Sequence, residues 1–386
     1  MKSLTIYAIL ATSIFATSIY AADYGIIGGD GLKIAGDMWV TFRAMERTLS
    51  PNTNFHGDDP FNVLRVRTFL IREWNPKSKM NIEFLWDNKA APRVQGAYLT
   101  FREVWGAWGA RVGMIPSPFG NYGTRSTYFN QNPLIGVPAM WHYRTPFNSN
   151  GSPKNSQLIA RKSRINRGLP IAYDACWDYG VEAIYDKGYW EGGLAVTQGT
   201  IGSMAAVDNN GYQVIGRIGV KPSTGMRAGF SAALGPYLRP DTSASVATLQ
   251  KKYLDYDQKA FGFYWEYSLG YWQLYSELMS STYEPPLIKG GDLTNISGYF
   301  EARWNFAPGW YFAERFDVFQ YNKIPVNNDG SGAKEKWGYD VNRIELAVGW
   351  RPIREGIIRL DYQGSFYDQS RVDPLHLMAL QFGFAF

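Results

Sequence analysis

The sequence predicts an all-β chain: a transmembrane antiparallel β-barrel of about sixteen strands, with a long inward-folding loop after strand 5. Three observations carry this. Apolar and polar residues alternate at a period of two over many short runs. The connections between runs are short and long in turn, and aromatic residues gather beside the short ones. Composition agrees: aromatics make up 16% of 386 residues and glycines number 40, yet the mean hydropathy is only −0.28. Strands that show one face to lipid and the other to a wet lumen average to that value, whereas a membrane helix needs ~20 apolar residues in a row.

In chain order, residues 1–22 read as an export signal peptide. Lys2 supplies the positive start, Leu4 to Phe15 the apolar stretch, and Ala21 and Ala22 the small residues for cleavage. The alternative, a short membrane anchor, requires a longer apolar run. No cysteine stands near the cleavage site to carry a lipid, and the sole cysteine, Cys176, cannot form an internal disulfide. Residues 23–386 then make up the barrel.

The alternation is plain in Leu32, Ile34, Met38, Val40 and Phe42, interleaved with Lys33, Asp37, Thr41 and Arg43. It recurs in Met80, Ile82, Phe84 and Trp86 against Asn81, Glu83 and Asp87, and in Ile358, Leu360 and Tyr362 against Arg359, Asp361 and Gln363. Such runs place strands near 32–45, 61–74, 79–88, 93–102, 105–115, 176–185, 189–198 and 211–221. Eight more fall near 225–235, 257–267, 271–282, 293–306, 309–321, 339–350, 355–367 and 375–386. Every second connection is a tight turn, such as Asn75-Pro76-Lys77-Ser78 or Asp186-Lys187-Gly188. All but one of those between are longer, among them 46–60, 236–256 and 322–338. A chain threading a membrane up and down, with turns on one side and loops on the other, gives this parity; a soluble sandwich has no reason to sort its loops.

Trp74, Trp105, Tyr185, Tyr189, Trp190, Tyr267, Tyr271, Trp272, Trp304, Trp310 and Trp350 flank the short turns. Amphipathic rings at that level form an interfacial girdle. The last run ends in Met378, Leu380, Phe382, Phe384 and Phe386. A terminal strand finishing in Phe386 resembles the signal read by the barrel assembly machinery of bacterial outer membranes, which implies an outer-membrane setting with lipid and lipopolysaccharide around the wall.

Residues 116–175 form the longest connection, where a narrowing of the lumen is expected. Arg125, Arg144, Lys154, Arg161, Lys162, Arg164 and Arg167 meet a single acid there, Asp174, so these bases are candidates for a constriction that prefers anions. The other reading is an outer loop that meets lipopolysaccharide phosphate. Strand parity adds Arg43, Arg65, Arg67, Arg111, Arg217, Arg227, Arg303, Arg343 and Arg359 to the inner wall. Glu83, Glu182, Glu266, Glu277, Glu301, Glu345 and Asp361 accompany them, which provides for cross-strand pairs.

Arg111-Val112-Gly113 running to Pro118-Phe119-Gly120, Asp178-Tyr179-Gly180-Val181, Trp190 with Gly193 and Thr197-Gln198-Gly199, and Gly216-Arg217-Ile218 through Pro222, Gly229 and Ser231 stand in an order that resembles the phosphate-selective porin O and P family. Gln198-Gly199 departs from that family's Asn-Gly ending. The resemblance implies a trimeric, sixteen-stranded diffusion channel for small hydrophilic solutes. It does not imply phosphate selectivity, since the family's arginine ladder and lysine cluster have no residue-by-residue match here. The chain is also similar in pattern to porin-like barrels that sheath multihaem cytochromes, with any haem belonging to the partner because no Cys-x-x-Cys-His motif is present. Enzyme readings are poorly served. Only His56, His142 and His376 are available as bases, and no Gly-x-Ser-x-Gly, His-Glu-x-x-His or phosphate-loop signature occurs. No cofactor, metal or nucleic-acid module is expected, although the net charge is +5.

Overall fold

The computed structural model describes residues 32–45, 60, 61, 63–87, 90–125, 131–148, 153–162, 168–173, 177–202, 210–238, 252–368 and 372–386. The expected signal peptide lies outside these residues. The alternating runs all become strands: β1 (Leu32–Met45), β2 (Leu64–Asn75), β3 (Ser78–Asp87), β4 (Ala90–Trp105), β5 (Trp108–Pro116), β6 (Trp177–Lys187), β7 (Trp190–Gln198), β8 (Tyr212–Ser223) and β9 (Met226–Pro236). They continue as β10 (Asp257–Leu269), β11 (Trp272–Tyr283), β12 (Leu293–Ala307), β13 (Trp310–Tyr321), β16 (Val341–Trp350), β17 (Gly356–Tyr367) and β18 (Leu375–Ala385). Each end falls within three residues of the expected one. A small hairpin that alternation did not reveal, β14 (Lys323–Pro325) with β15 (Lys334–Lys336), stands on the loop between β13 and β16.

The sixteen long strands close into one antiparallel barrel, each pairing with its sequence neighbour and β1 with β18. Closure leaves no free edge, the condition for strands to cross lipid. At the seam Gly36 and Phe386 exchange backbone hydrogen bonds of 2.8 and 2.9 Å. Gly36 makes this seat possible. A Cβ there would stand 2.4 Å from the Arg67 carbonyl and 2.5 Å from the Phe386 ring.

The outer surface bears exposed Leu194, Val214, Ile218, Phe230, Phe261, Leu278, Ile296, Phe316 and Leu360, a face fit for lipid and costly in water. Beside the short turns, Trp74, Trp105, Tyr189, Trp190, Tyr271, Trp272, Trp304, Trp310 and Trp350 are exposed as expected of a girdle. Trp272 stacks on Trp304 at 5.7 Å and Trp310 on Trp350 at 5.5 Å across neighbouring strands.

Candidate pore and its constriction

The loop from β5 to β6 folds into the barrel and is fastened there by the wall. Backbone groups taken away from bulk water need partners, and here charged wall side chains provide them. Gly120 N donates to Ser231 Oγ at 3.0 Å, and its carbonyl accepts from Arg217 at 3.2 Å. The N–H groups of Asn121 and Tyr122 donate to one carboxylate oxygen of Glu277 at 2.7 and 2.5 Å, and Trp141 Nε1 donates to the other at 2.9 Å. Farther along, Ile135 donates to Asp361 at 3.0 Å, Gly136 to Glu345 at 2.6 Å and Ala139 to Asp317 at 2.9 Å.

The loop carbonyls are held in return. Arg359 donates to the oxygens of Asn132 and Leu134 at 2.7 and 3.1 Å, Tyr311 to Pro133 at 2.8 Å, Arg315 to Gly136 at 3.1 Å and Arg343 to Val137 at 3.2 Å. Arg315 also bridges Glu301, Asp317 and Glu345, all nearly inaccessible. A Cβ on Gly136 would lie 2.5 Å from the Gln363 amide nitrogen and 2.6 Å from the Glu345 carboxylate, so those side chain ends would have to shift.

Apolar packing completes the attachment. The described part of the loop forms three short helices, α1 (Tyr122–Arg125), α2 (Ala139–His142) and α3 (Asn155–Arg161). Phe119, Tyr122, Met140, Trp141, Tyr143 and Phe147 pack with Ile215, Met279, Tyr283, Tyr299, Phe319 and Val341 of the wall in one buried cluster inside the barrel. Burial pushes the Tyr143 hydroxyl well above its usual range, as does its hydrogen bond with Tyr367.

The basic residues expected at the constriction separate into two groups. Arg125 is buried on the loop, bridged to Glu301 at 2.7 Å and lying over the Tyr275 ring at 3.9 Å. Burial works against its charge, but Glu301 and the surrounding tyrosines more than offset this and hold the guanidinium well above its ordinary pKa. Arg144 is a bridge partner of Pro170 across the loop.

Lys154, Arg161 and Lys162 go elsewhere. Asn155 is fully buried and donates to the carbonyls of Lys289 and Pro325, both at 2.9 Å, while accepting from Lys289 N at 2.9 Å. Lys162 bridges Glu335 at 2.7 Å. These partners belong to the long connections after β11 and β13, so α3 stands at the long-loop mouth rather than at the narrowing. Lone charge counting could not show this, because the pin is the uncharged Asn155. Arg164 and Arg167 lie outside the described residues.

The wall arginines also divide. Arg217, Arg343 and Arg359 hold the loop, and Arg303 lies over Tyr311 at 4.4 Å. Arg67 bridges Asp37 at 2.6 Å, Arg111 bridges Glu182 at 2.7 Å, and Arg227 bridges Glu191 at 2.7 Å. Arg65 is half-buried beside them on β2, and Arg43 is exposed near the long-loop end of β1. Arg315 and Asp317, absent from the expected set, sit on the inward parity of β13 and were open to the same reasoning.

Thus the lumen has two unlike halves. Across β8–β18 the wall is spent on the loop. Across β2–β7 fewer side chains touch the loop, and polar atoms such as Asn81 Nδ2, Glu83 Oε1, Gln95 Oε1, Thr100 Oγ1, Arg111 Nε and Thr197 Oγ1 are buried without a partner among the described residues, as are some on the other side, Asn295 Oδ1 and Ser297 Oγ of β12 among them. Such atoms call for water or solute. His142, flanked by the Pro138 carbonyl at 3.2 Å and Arg343, is bound into the loop attachment, and His376 meets the Tyr362 hydroxyl at 2.8 Å. His56 lies outside the described residues.

No protein-family model and no curated protein matches the chain. Solved structures do. The anion-selective porin from Comamonas acidovorans aligns with a TM-score of 0.56 at 9% identity, over 92% of this chain and 99% of that one. The outer membrane channel DcaP of Acinetobacter baumannii gives 0.53 at 11%, over 94% and 100%. In-vitro folded OmpT, an outer membrane protein of Vibrio cholerae, in its trimer form gives 0.54 at 8%, over 92% and 99%. At such identity the likeness is one of fold. The similarity reaches outer-membrane porins in general and does not single out the phosphate-selective branch. The chain is a closed sixteen-stranded antiparallel barrel whose fold is similar to that of solved outer-membrane porins.

Proposed function

We propose that the chain is a passive channel of the outer membrane for small hydrophilic solutes, with a preference for anions, and that it carries no catalytic activity. The observation that carries the charge preference is an asymmetry within two ion pairs of the lumen wall. Arg111 is 22% exposed while its partner Glu182 is 4% exposed. Arg227 is 37% exposed while Glu191 is 6% exposed. Bases stand forward and acids behind, so a solute meets guanidinium first although the charges nominally balance. Arg102 and Arg111 both lie within electrostatic range of Lys79, together with the acid Glu73. A low-dielectric wall focuses such a field on the passage.

The general fold supports assembly as a homotrimer in lipid and lipopolysaccharide, and Phe386 at the seam is the residue to offer the assembly machinery. Specific phosphate capture is not part of this reading. A sheath for a multihaem cytochrome is disfavoured, because the chain's own loop occupies the lumen where a partner would enter.

The test is the reversal potential of purified protein in planar bilayers under a KCl gradient. Chloride preference that weakens in Arg111→Gln with Arg227→Gln supports the proposal. No conductance, or cation preference, contradicts it.

A further inference from the structure

We infer that the short-turn rim between β12 and β13 carries a binding site for the headgroup of an anionic phospholipid. The turn Ala307-Pro308-Gly309 lines a cavity of about 660 Å³ there, within the ~300–1,000 Å³ range of small-ligand sites. Tyr271, Trp304, Phe306 and Trp310 also line it, and all four are exposed. Trp304 and Trp310 belong to the girdle on the lipid side of the wall. From the lumen side come Arg303, on the inward parity of β12, and Arg351, one residue past the end of β16. No Asp or Glu is among the described residues that line the cavity. Its walls are tied together. Asn305 N and Nδ2 donate to the Tyr271 carbonyl at 2.9 and 3.3 Å, and Arg351 N donates to the Gly309 carbonyl at 2.7 Å. Arg303 donates to Asn305 Oδ1 at 3.1 Å and to Gln273 Oε1 at 3.4 Å, which fixes its plane.

Arg303 is mostly buried and Arg351 is half-buried, so a ligand touches Arg351, with Arg303 adding positive field behind it. Burial, and after it the repulsion of Arg303, push the Arg351 guanidinium down to about 10. It stays charged at neutral pH, and an anion beside it offsets what these surroundings cost. The mixed wall selects the kind of anion. Rings at headgroup level pack on the glycerol and first methylenes of a lipid, while a guanidinium holds its phosphate. Basic pockets at this level take anionic headgroups. A zwitterionic headgroup brings its own cation toward the two arginines and loses part of the attraction. Free phosphate uses only the guanidinium and leaves the aromatic wall uncovered.

The experiment is native mass spectrometry of the refolded full-length barrel from detergent, titrated with phosphatidylglycerol or with phosphatidylcholine of the same chains. Phosphatidylglycerol is expected to bind about fivefold more tightly, the size of one basic contact with a charged headgroup. Arg351→Gln is expected to bring the two lipids to parity. Lys187→Gln, which removes an exposed base at another short turn, is expected to keep the preference. In the wild type the preference should shrink between ~0.1 and ~0.5 M salt, and excess inorganic phosphate should leave the lipid bound. Equal binding of both lipids by the wild type overturns the inference. So does a preference that survives in Arg351→Gln, or one that Lys187→Gln abolishes as well. Displacement by inorganic phosphate overturns it in favour of a free-anion site. Should Arg351→Gln fail to fold, the salt and phosphate arms on the wild type decide, and a preference that salt leaves unchanged overturns the inference.

Discussion

Glu345 and Glu182 are both inward carboxylates near mid-barrel, each paired with an arginine, yet they do different work. Glu345, fully buried, receives Gly136 N–H and bridges Arg315, which in turn grips the Gly136 carbonyl. Glu182 sits behind a half-exposed Arg111 whose Nε has no partner among the described residues. One half of the barrel spends its charges on its own backbone; the other presents them to what passes. A charged lining is therefore no measure of selectivity until the residues consumed by the loop are subtracted.

Breaking the first half should give the largest effect. Glu345→Ala leaves Arg315 short of one partner and Gly136 N–H without its acceptor, inside a network with little water. Removing one member of such a buried pair costs ~3–5 kcal/mol. The expected outcome is a marked fall in the melting temperature of the folded barrel in detergent, with larger and noisier single-channel currents as the loop loosens. A change at the seam ranks next. Gly36→Val crowds the Arg67 carbonyl and the Phe386 ring, and overpacking of this kind costs ~1–3 kcal/mol. Thermal melting and folding yield should fall while conductance of the folded fraction stays unchanged.

The second half answers to charge more than to stability. Arg111→Gln leaves a mostly buried Glu182 beside the passage and removes its forward cation. The chloride-to-potassium permeability ratio from reversal potentials should drop by severalfold, and the melting temperature should fall by less than in Glu345→Ala, because Arg111 is partly exposed. The smallest effect belongs to the long-loop mouth. Lys154→Gln, Arg161→Gln and Lys162→Gln remove bases that stand above the narrowing, where salt screens them. They should shift selectivity little, and the shift should vanish at ~1 M salt, where the screening length is about 3 Å.

Much of this was legible in the sequence, for reasons that differ by region. Strands follow from period-two alternation, which a membrane barrel must keep on every crossing, so even β13 and β16, interrupted by an unforeseen hairpin, were placed closely. The inward loop followed from its length and its place after β5. The fate of its charges did not. Whether Arg359 faces solute or holds the Leu134 carbonyl depends on how the loop lies against the wall, a contact across more than two hundred residues with no local pattern. Lys154 and Arg161 look like constriction residues by charge alone, and the docking of Asn155 on Lys289 and Pro325 sets their helix against the long connections after β11 and β13. Arg315 is a different case: its parity was readable, and its partners were not.

The central claim is that solute passes along β2–β7 and not along the loop-filled side. Cysteine accessibility tests it most directly. In a Cys176→Ala background, Asn81→Cys on β3 and Ser365→Cys on β17 place one thiol in each half. A water-soluble charged thiosulfonate should reduce the current through the Asn81→Cys channel and leave the Ser365→Cys channel unchanged. Block at Ser365→Cys with none at Asn81→Cys would contradict the account.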